Sequence, residues 1–140
     1  MPYCTREHIE LKFGTANVAQ WADLNNNEDA GEITAAIDDA IESADAQIDD
    51  TLRDSRYAVP IVPLSGTEVR TIRDISRMLA GSILYDNRGT FDSDDEGRPF
   101  NRMAVHRREA ESMLRKIVAG SMKLNAVRSE HPSSEAPIVV

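Results

Sequence analysis

The sequence has few of the residues that build catalytic or metal sites. Cys4 is its only cysteine, so no disulfide can form within the chain. Its three histidines, His8, His106 and His131, are far apart, and neither they nor Cys4 have the spacing of zinc ligands. A glycine-rich phosphate loop, a nucleophile elbow and a His-Glu-x-x-His motif are also lacking. We therefore expect no metal, no cofactor and no enzymatic activity.

Long apolar runs, aromatic residues and excess positive charge are lacking too. No run of about 18 apolar residues is present, which predicts a protein without a membrane span, and the first residues, MPYCTREHIEL, do not have the pattern of a signal peptide. Aromatic residues make up 5% of the chain, so the core should consist mainly of Ile, Leu, Val, Ala and Met. The net charge of −8 disfavours a protein that holds nucleic acid by neutralising its phosphates. These features predict a soluble, intracellular protein.

Helical periodicity is the strongest pattern that the sequence does contain. Apolar residues recur every three or four positions from Glu32 to about Ser55, which predicts a long helix. The other face of this helix is acidic, with only Arg53 as a balancing charge. Thr5 is a candidate N-cap for a short helix that ends at Phe13, and Thr15 is a candidate N-cap for a second short helix.

The second half of the chain predicts two further helices. Pro60 and Pro63 should prevent a helix between the long acidic helix and the next one. The spacing of Ser65 and Glu68 is that of a capping box that opens a fourth helix. An exposed loop over 90–99 and a fifth helix from about Phe100 to Ala119 follow. We expect an all-α fold: a small helical bundle (residues 1–124) with a long acidic central helix, and an extended C-terminal tail (residues 125–140).

The polar loop from Asp23 to Gly31 has Asp or Asn at alternate positions, as a calcium-binding loop does. Glu28, however, occupies the position where such a loop needs glycine, and Thr34 occupies that of the bidentate glutamate. A polar loop whose side chains cap turns is the favoured interpretation, and cation binding stays an alternative.

Charge is segregated along the chain, with acidic residues concentrated in the third helix and basic residues in the fourth and fifth. The basic candidates for contacts between subunits are Arg73, Arg77, Arg102, Arg108 and Arg115. Three interpretations are open: a solvated surface, a subunit that packs head to tail in a ring, and a fifth helix that grips DNA. The tail is too polar to fold by itself, so it is either disordered or ordered against a partner through Ile138, Val139 and Val140.

The order of these features resembles the head–tail adaptor (head completion or connector) proteins of tailed bacteriophages, especially a Mu-like prophage family. The resemblance covers roughly residues 2–124. It is carried by Tyr3-Cys4-Thr5 before a short helix, by Trp21-Ala22-Asp23-Leu24, by the acidic helix that leads into Arg56-Tyr57-Ala58-Val59-Pro60-Ile61, and by Ile72-Arg73-Asp74-Ile75-Ser76-Arg77.

The resemblance implies a structural virion protein that forms a ring, usually twelvefold, under the portal protein. Such a ring extends the channel through which double-stranded DNA passes without specific binding, and it docks a neck or tail-terminator protein. It would be assembled in the host cytoplasm and reside in the virion neck. The alternative is a small helical DNA-binding or regulatory domain.

The resemblance also suggests roles for particular residues. Because a channel of like charge to phosphate does not retain DNA, we expect some of an acidic set to face the channel. That set is Asp38, Asp45, Asp49, Asp92, Asp94, Asp95 and Glu96. A tail that reaches toward the portal would dock through Val127, Arg128, Ile138, Val139 and Val140.

Overall fold

The structure is a computed structural model that describes residues 2–89, 92–93 and 95–129, without the side chains of 92, 93 and 99. Within these residues the chain forms five α-helices and one short hairpin. The helices are α1 (Arg6–Phe13), α2 (Thr15–Ala22), α3 (Ala30–Leu52), α4 (Arg70–Arg88) and α5 (Ala104–Ala119). The hairpin pairs β1 (Asp92–Ser93) with β2 (Pro99–Phe100) in antiparallel register. The prediction of an all-α fold is confirmed.

The core is built around α4, which contacts α1, α2, α3 and α5. The acidic helix α3 is the longest, at 23 residues, and packs mainly against α4, with further contacts to α2 and α5. Small residues let α4 take that position: Gly81 is buried so closely against α1 that a Cβ there would lie 2.4 Å from a ring carbon of Phe13. As predicted, most buried side chains are aliphatic.

The first helix ends as the sequence predicts, and the ends of α2 and α3 differ slightly. The Thr5 hydroxyl accepts from the His8 backbone N–H, and Gly14 ends α1. Thr15 is already helical and provides no cap for α2. α3 begins two residues before Glu32 because the Asp29 carboxylate caps it, accepting from the Glu32 N–H at 2.9 Å.

The predicted starts of α4 and α5 are wrong. Ser65 and Glu68 form no capping box: α4 begins only at Arg70, and Ser65 instead accepts from the Asn125 side-chain amide at 2.9 Å. Glu68 forms an ion pair with Arg73 at 2.8 Å. α5 begins at Ala104 rather than Phe100, because Phe100 pairs with β1 as part of the hairpin. The segment 90–99, which was predicted to be a loop, thus contains β1 and the first residue of β2.

The crossover (residues 56–64) between α3 and α4 is not helical, as its prolines predict, and it pairs with the start of the predicted tail. Val127 donates its N–H to Val62 and accepts from Ala58, at 2.8 and 2.9 Å. Tyr57 adds a link by accepting, through its hydroxyl, the N–H of Leu124 at 2.7 Å. Residues 125–129 therefore pack onto the bundle. The predicted docking residues Ile138, Val139 and Val140 lie outside the described residues.

Candidate functional site

One flank of α3 carries a row of four carboxylates beside a groove. Asp38, Glu42, Asp45 and Asp49 follow one another at helical spacing, so their side chains share one flank of the helix. Between this flank and the segment 2–6 lies a groove of about 610 Å³. Its lining includes the apolar side chains of Pro2, Ile41 and Ala46, these carboxylates and one cation, Arg6, which is paired with Glu10.

Two of these carboxylates hold the N-terminal segment. Asp45 accepts from the Tyr3 backbone N–H at 2.9 Å and from the Ser76 hydroxyl at 2.7 Å. Asp49 accepts from the Tyr3 hydroxyl, which in turn accepts from the Ile61 N–H at 2.8 Å. Asp45 and Asp49 therefore link the start of the chain to α3, to α4 and to the crossover.

Three ionisable groups in or beside this network, Asp45, Tyr3 and Cys4, have shifted pKa values. Burial raises the pKa of Asp45, although the bonds from Ser76 and Tyr3 oppose the shift. Burial, followed by the bond to Asp49, raises the pKa of Tyr3. Burial raises the pKa of Cys4 to about 11, with the bond from Ser76 acting against it. The Cys4 thiol is thus protonated at neutral pH, which makes it a structural group rather than a nucleophile.

The remaining acidic candidates are exposed where the structure describes them. Asp38 projects from α3 into solvent, and Asp95 and Glu96 lie exposed in the hairpin turn. Glu96 forms an exposed ion pair with Arg98 at 3.1 Å. Asp94 and the Asp92 side chain lie outside the described residues, so their predicted direction stays a prediction.

Three of the five basic candidates have partners within the chain. Arg73 pairs with Glu68, and Arg77 pairs with Asp74 at 3.0 Å; both arginine side chains are only 17–20% exposed. Arg102 extends over the rings of Trp21 and Tyr85, 5.4 and 5.8 Å from their centroids, as a cation–π pair does. The geometry therefore gives these side chains roles in holding the subunit together.

Arg108 and Arg115 are the two basic candidates that stand exposed on the outer face of α5. They are two helical turns apart and share that face with Lys116 and the apolar Val105, which is 59% exposed. Glu109 and Glu111 are exposed on the same helix, with Glu109 in line with Lys116 and Glu111 one turn from Arg115. The exposed face of α5 therefore carries both signs of charge, with positive charge in excess.

An apolar patch at the crossover was missed by the sequence reasoning. Val62 is 50% exposed, Leu64 is 65% exposed and Val127, a predicted docking residue, is 37% exposed. Val62 and Val127 are joined by a backbone hydrogen bond, so the patch includes residues of both the crossover and the segment 125–129 that pairs with it. The apolar residues Ile61, Val62 and Leu64 could have predicted an extended segment with one buried and one exposed side, and Ile61 is indeed buried while Val62 is exposed. The prolines at 60 and 63 drew attention to the break between helices instead. Arg128, the next residue along the chain after Val127, is also exposed.

The polar loop before α3 is a self-capped turn, as the favoured interpretation predicted. Asp23 accepts from the backbone N–H groups of Asn27 and Glu28, both at 3.1 Å. The Arg88 guanidinium donates to the Asp23 carbonyl and to the Asn26 side chain. Among the described residues no group of three or more His, Cys, Asp or Glu side chains could hold a metal ion. None of the helices in the described part of the chain is long and apolar enough to cross a membrane.

Comparison with known proteins identifies the family. A family model described as Bacteriophage Mu, Gp36 matches residues 3–140. The chain belongs to this family. It is therefore a phage protein of the Mu-like type, and membership in the Gp36 family indicates a structural or morphogenesis protein. A search of curated proteins gave no match.

Proposed function

We propose that this member of the Gp36 family is a head–tail adaptor that forms a ring beneath the portal protein, extends the DNA channel and docks a neck or tail protein, without catalytic activity. The observation that carries the proposal is the separation of charge on the subunit surface. Exposed or half-exposed carboxylates line one flank of α3, and the exposed face of α5 has an excess of positive charge from Arg108, Arg115 and Lys116 over Glu109 and Glu111. A subunit with one acidic and one basic face suits head-to-tail packing, because the two faces attract when copies are arranged around an axis.

The channel is assigned to the hairpin turn. Asp45 and Asp49 are engaged by Tyr3, so they are poorly placed to line a bore. Asp95 and Glu96 project into solvent from the turn, and because Glu96 is paired with Arg98, the three residues together carry one net negative charge per subunit. A ring of such carboxylates repels phosphate and lets duplex DNA slide, with an effect that is strongest at low salt.

Docking to the portal is assigned to the apolar patch formed by Val62, Leu64 and Val127. An exposed group of large aliphatic side chains is a common mark of a protein contact. Arg128 lies next to the patch and offers a charged rim. The patch also stands where the chain continues into residues 130–140, the segment in which the docking anchors Ile138 to Val140 were predicted.

Native mass spectrometry tests the adaptor proposal. The chain alone and the chain mixed with the portal protein of the same phage are compared, and a closed ring bound to the portal is the expected species. A double variant, Val62→Ser with Leu64→Ser, should lose portal binding. Leu11→Ser is the matched control, because Leu11 is a large aliphatic residue that is 80% exposed on α1 and is not part of the patch. If the mixture shows no complex between the chain and the portal protein, the proposal is contradicted.

The second candidate function is a small DNA-binding or regulatory domain, favoured by the exposed Arg108 and Arg115 on α5. Such a domain would bind a labelled duplex with an affinity that falls steeply between 50 and 200 mM salt, and Arg108→Ala would weaken it. The adaptor predicts no measurable binding by the free subunit at either salt concentration, because the net charge of −8 opposes it.

A further inference from the structure

We propose that the outer face of α5 of one copy docks in the groove between α3 and the N-terminal segment of the next copy. This inference rests on the proposed ring and names the surfaces that join its subunits. The contact is heterologous, since two different faces meet, and such contacts build rings when the rotation between copies closes.

The charges on the two faces have the same spacing. Arg108 and Arg115 are seven residues apart on α5, as are Asp38 and Asp45 on α3, and Glu42 and Asp49 in the same row. Seven residues of an α-helix span about 10.5 Å, or roughly two turns. When the two helices lie side by side, each arginine can therefore meet a pair of carboxylates one turn apart on α3.

The groove has the shape and chemistry to take arginine side chains. Its volume of about 610 Å³ is open to solvent along α3, and Ile41 and Ala46 provide an apolar lining. The methylene groups of an arginine can lie along such a lining while the guanidinium reaches the carboxylates. Val105, exposed on the same face of α5, can cover apolar surface at one end of the groove.

Use of Asp45 and Asp49 within the subunit does not prevent the contact. A carboxylate has about four lone-pair positions, and the described structure shows Asp49 accepting from the Tyr3 hydroxyl and Asp45 accepting from Tyr3 and Ser76. An incoming Arg115 can bind the positions that remain. The exposed Asp38 and Glu42 are available to Arg108.

Cross-linking between two variants, each with one introduced cysteine in addition to the buried Cys4, tests the contact directly. Chains carrying Glu42→Cys and Arg108→Cys are mixed, alone and with the portal protein, and treated with a short bismaleimide. We expect a covalent dimer in the mixture under at least one of these conditions. Wild type is the background control because Cys4 is buried. Ser43→Cys, which is exposed on the opposite flank of α3, replaces Glu42→Cys in the matched control and should not cross-link.

Charge exchange provides an independent readout of the same contact. Glu42→Arg and Arg108→Glu should each fail to form rings when present alone, because like charges then meet at every contact. An equal mixture should restore rings in which the two variants alternate, since each remaining contact joins opposite charges. Because the two variants differ in mass, native mass spectrometry can show whether each ring contains equal numbers of them.

The outcomes separate this inference from the adaptor proposal. Rings on the portal without the cross-link, and without any effect of either charge reversal, would overturn the contact and leave the adaptor standing. The cross-link without portal binding would support the contact and contradict the adaptor. Absence of the cross-link both alone and with the portal overturns the contact.

Discussion

The close packing of Phe13 on Gly81 gives a prediction in which a normally favourable substitution should be harmful. Alanine is preferred over glycine inside a helix by about 0.8–1.0 kcal/mol, so Gly81→Ala would stabilise α4 if space allowed. Space does not allow it, because the new Cβ would lie 2.4 and 2.8 Å from two ring carbons of Phe13. The ring, or the helix that carries it, has to move.

The size of the effect follows from what the Phe13 ring contacts. Its centroid lies 5.9 Å from that of Trp21 and 5.1 Å from that of His106, so displacing it disturbs two aromatic contacts. Forcing an extra methyl group into a packed core costs about 1–3 kcal/mol. After the gain in helix propensity is subtracted, we expect Gly81→Ala to lower the free energy of unfolding by up to about 2 kcal/mol.

A double-mutant cycle measured by urea denaturation tests this reasoning. In a Phe13→Ala background the obstructing ring is gone, so the same Gly81→Ala change should stabilise the protein by about 0.5–1 kcal/mol. The sign of the effect should therefore reverse between the two backgrounds. Destabilisation of equal size in both backgrounds would refute the packing argument.

Three further predictions concern the network around the N-terminal segment. Because the folded pKa of Asp45 is raised above its ordinary value of 3.8, ionisation of this carboxyl disfavours the folded state. Wild type should therefore gain stability relative to Asp45→Asn as the pH falls from about 7 to about 4. A stability difference that does not change with pH in urea titrations would contradict this. Tyr3→Phe removes the donor to Asp49 and the acceptor of the Ile61 N–H. We therefore expect the free energy of unfolding to fall by about 1–3 kcal/mol. An unchanged midpoint of urea denaturation would contradict this expectation. Since the pKa of Cys4 is raised from 9.0 to about 11, its thiolate fraction at pH 8 falls about 100-fold, and native protein should react with a thiol reagent far more slowly than protein in urea.

Local patterns in the sequence were sufficient for the helices and for several of their ends. The apolar stripe of α3 and the Thr5 cap depend on residues within a few positions of one another, and both were predicted. The prediction of a capping box at Ser65 was wrong because the partner of this residue is distant in sequence. The partner of Ser65 is Asn125, 60 residues away, and no local pattern contains that contact.

The candidate interaction residues show the same limit. All five basic candidates looked equivalent in sequence, yet Arg102 covers two aromatic rings while Arg108 stands exposed. Similarly, Asp45 and Asp38 lie on one acidic flank, but only Asp45 meets Tyr3. Periodicity places a side chain on a face of a helix, whereas its partner is decided by which distant segment packs there.

The bonds of Tyr3 also bear on the order in which the protein can fold during synthesis. Tyr3 is made early, but the Ile61 N–H that it accepts follows 58 residues later. At about 5–20 residues per second, the ribosome needs roughly 3–12 s to supply that partner. Until then the N-terminal segment lacks its bond to the crossover, although the Thr5 cap that begins α1 is already available. The earliest segment to leave the ribosome therefore completes its contacts only after the crossover has been made.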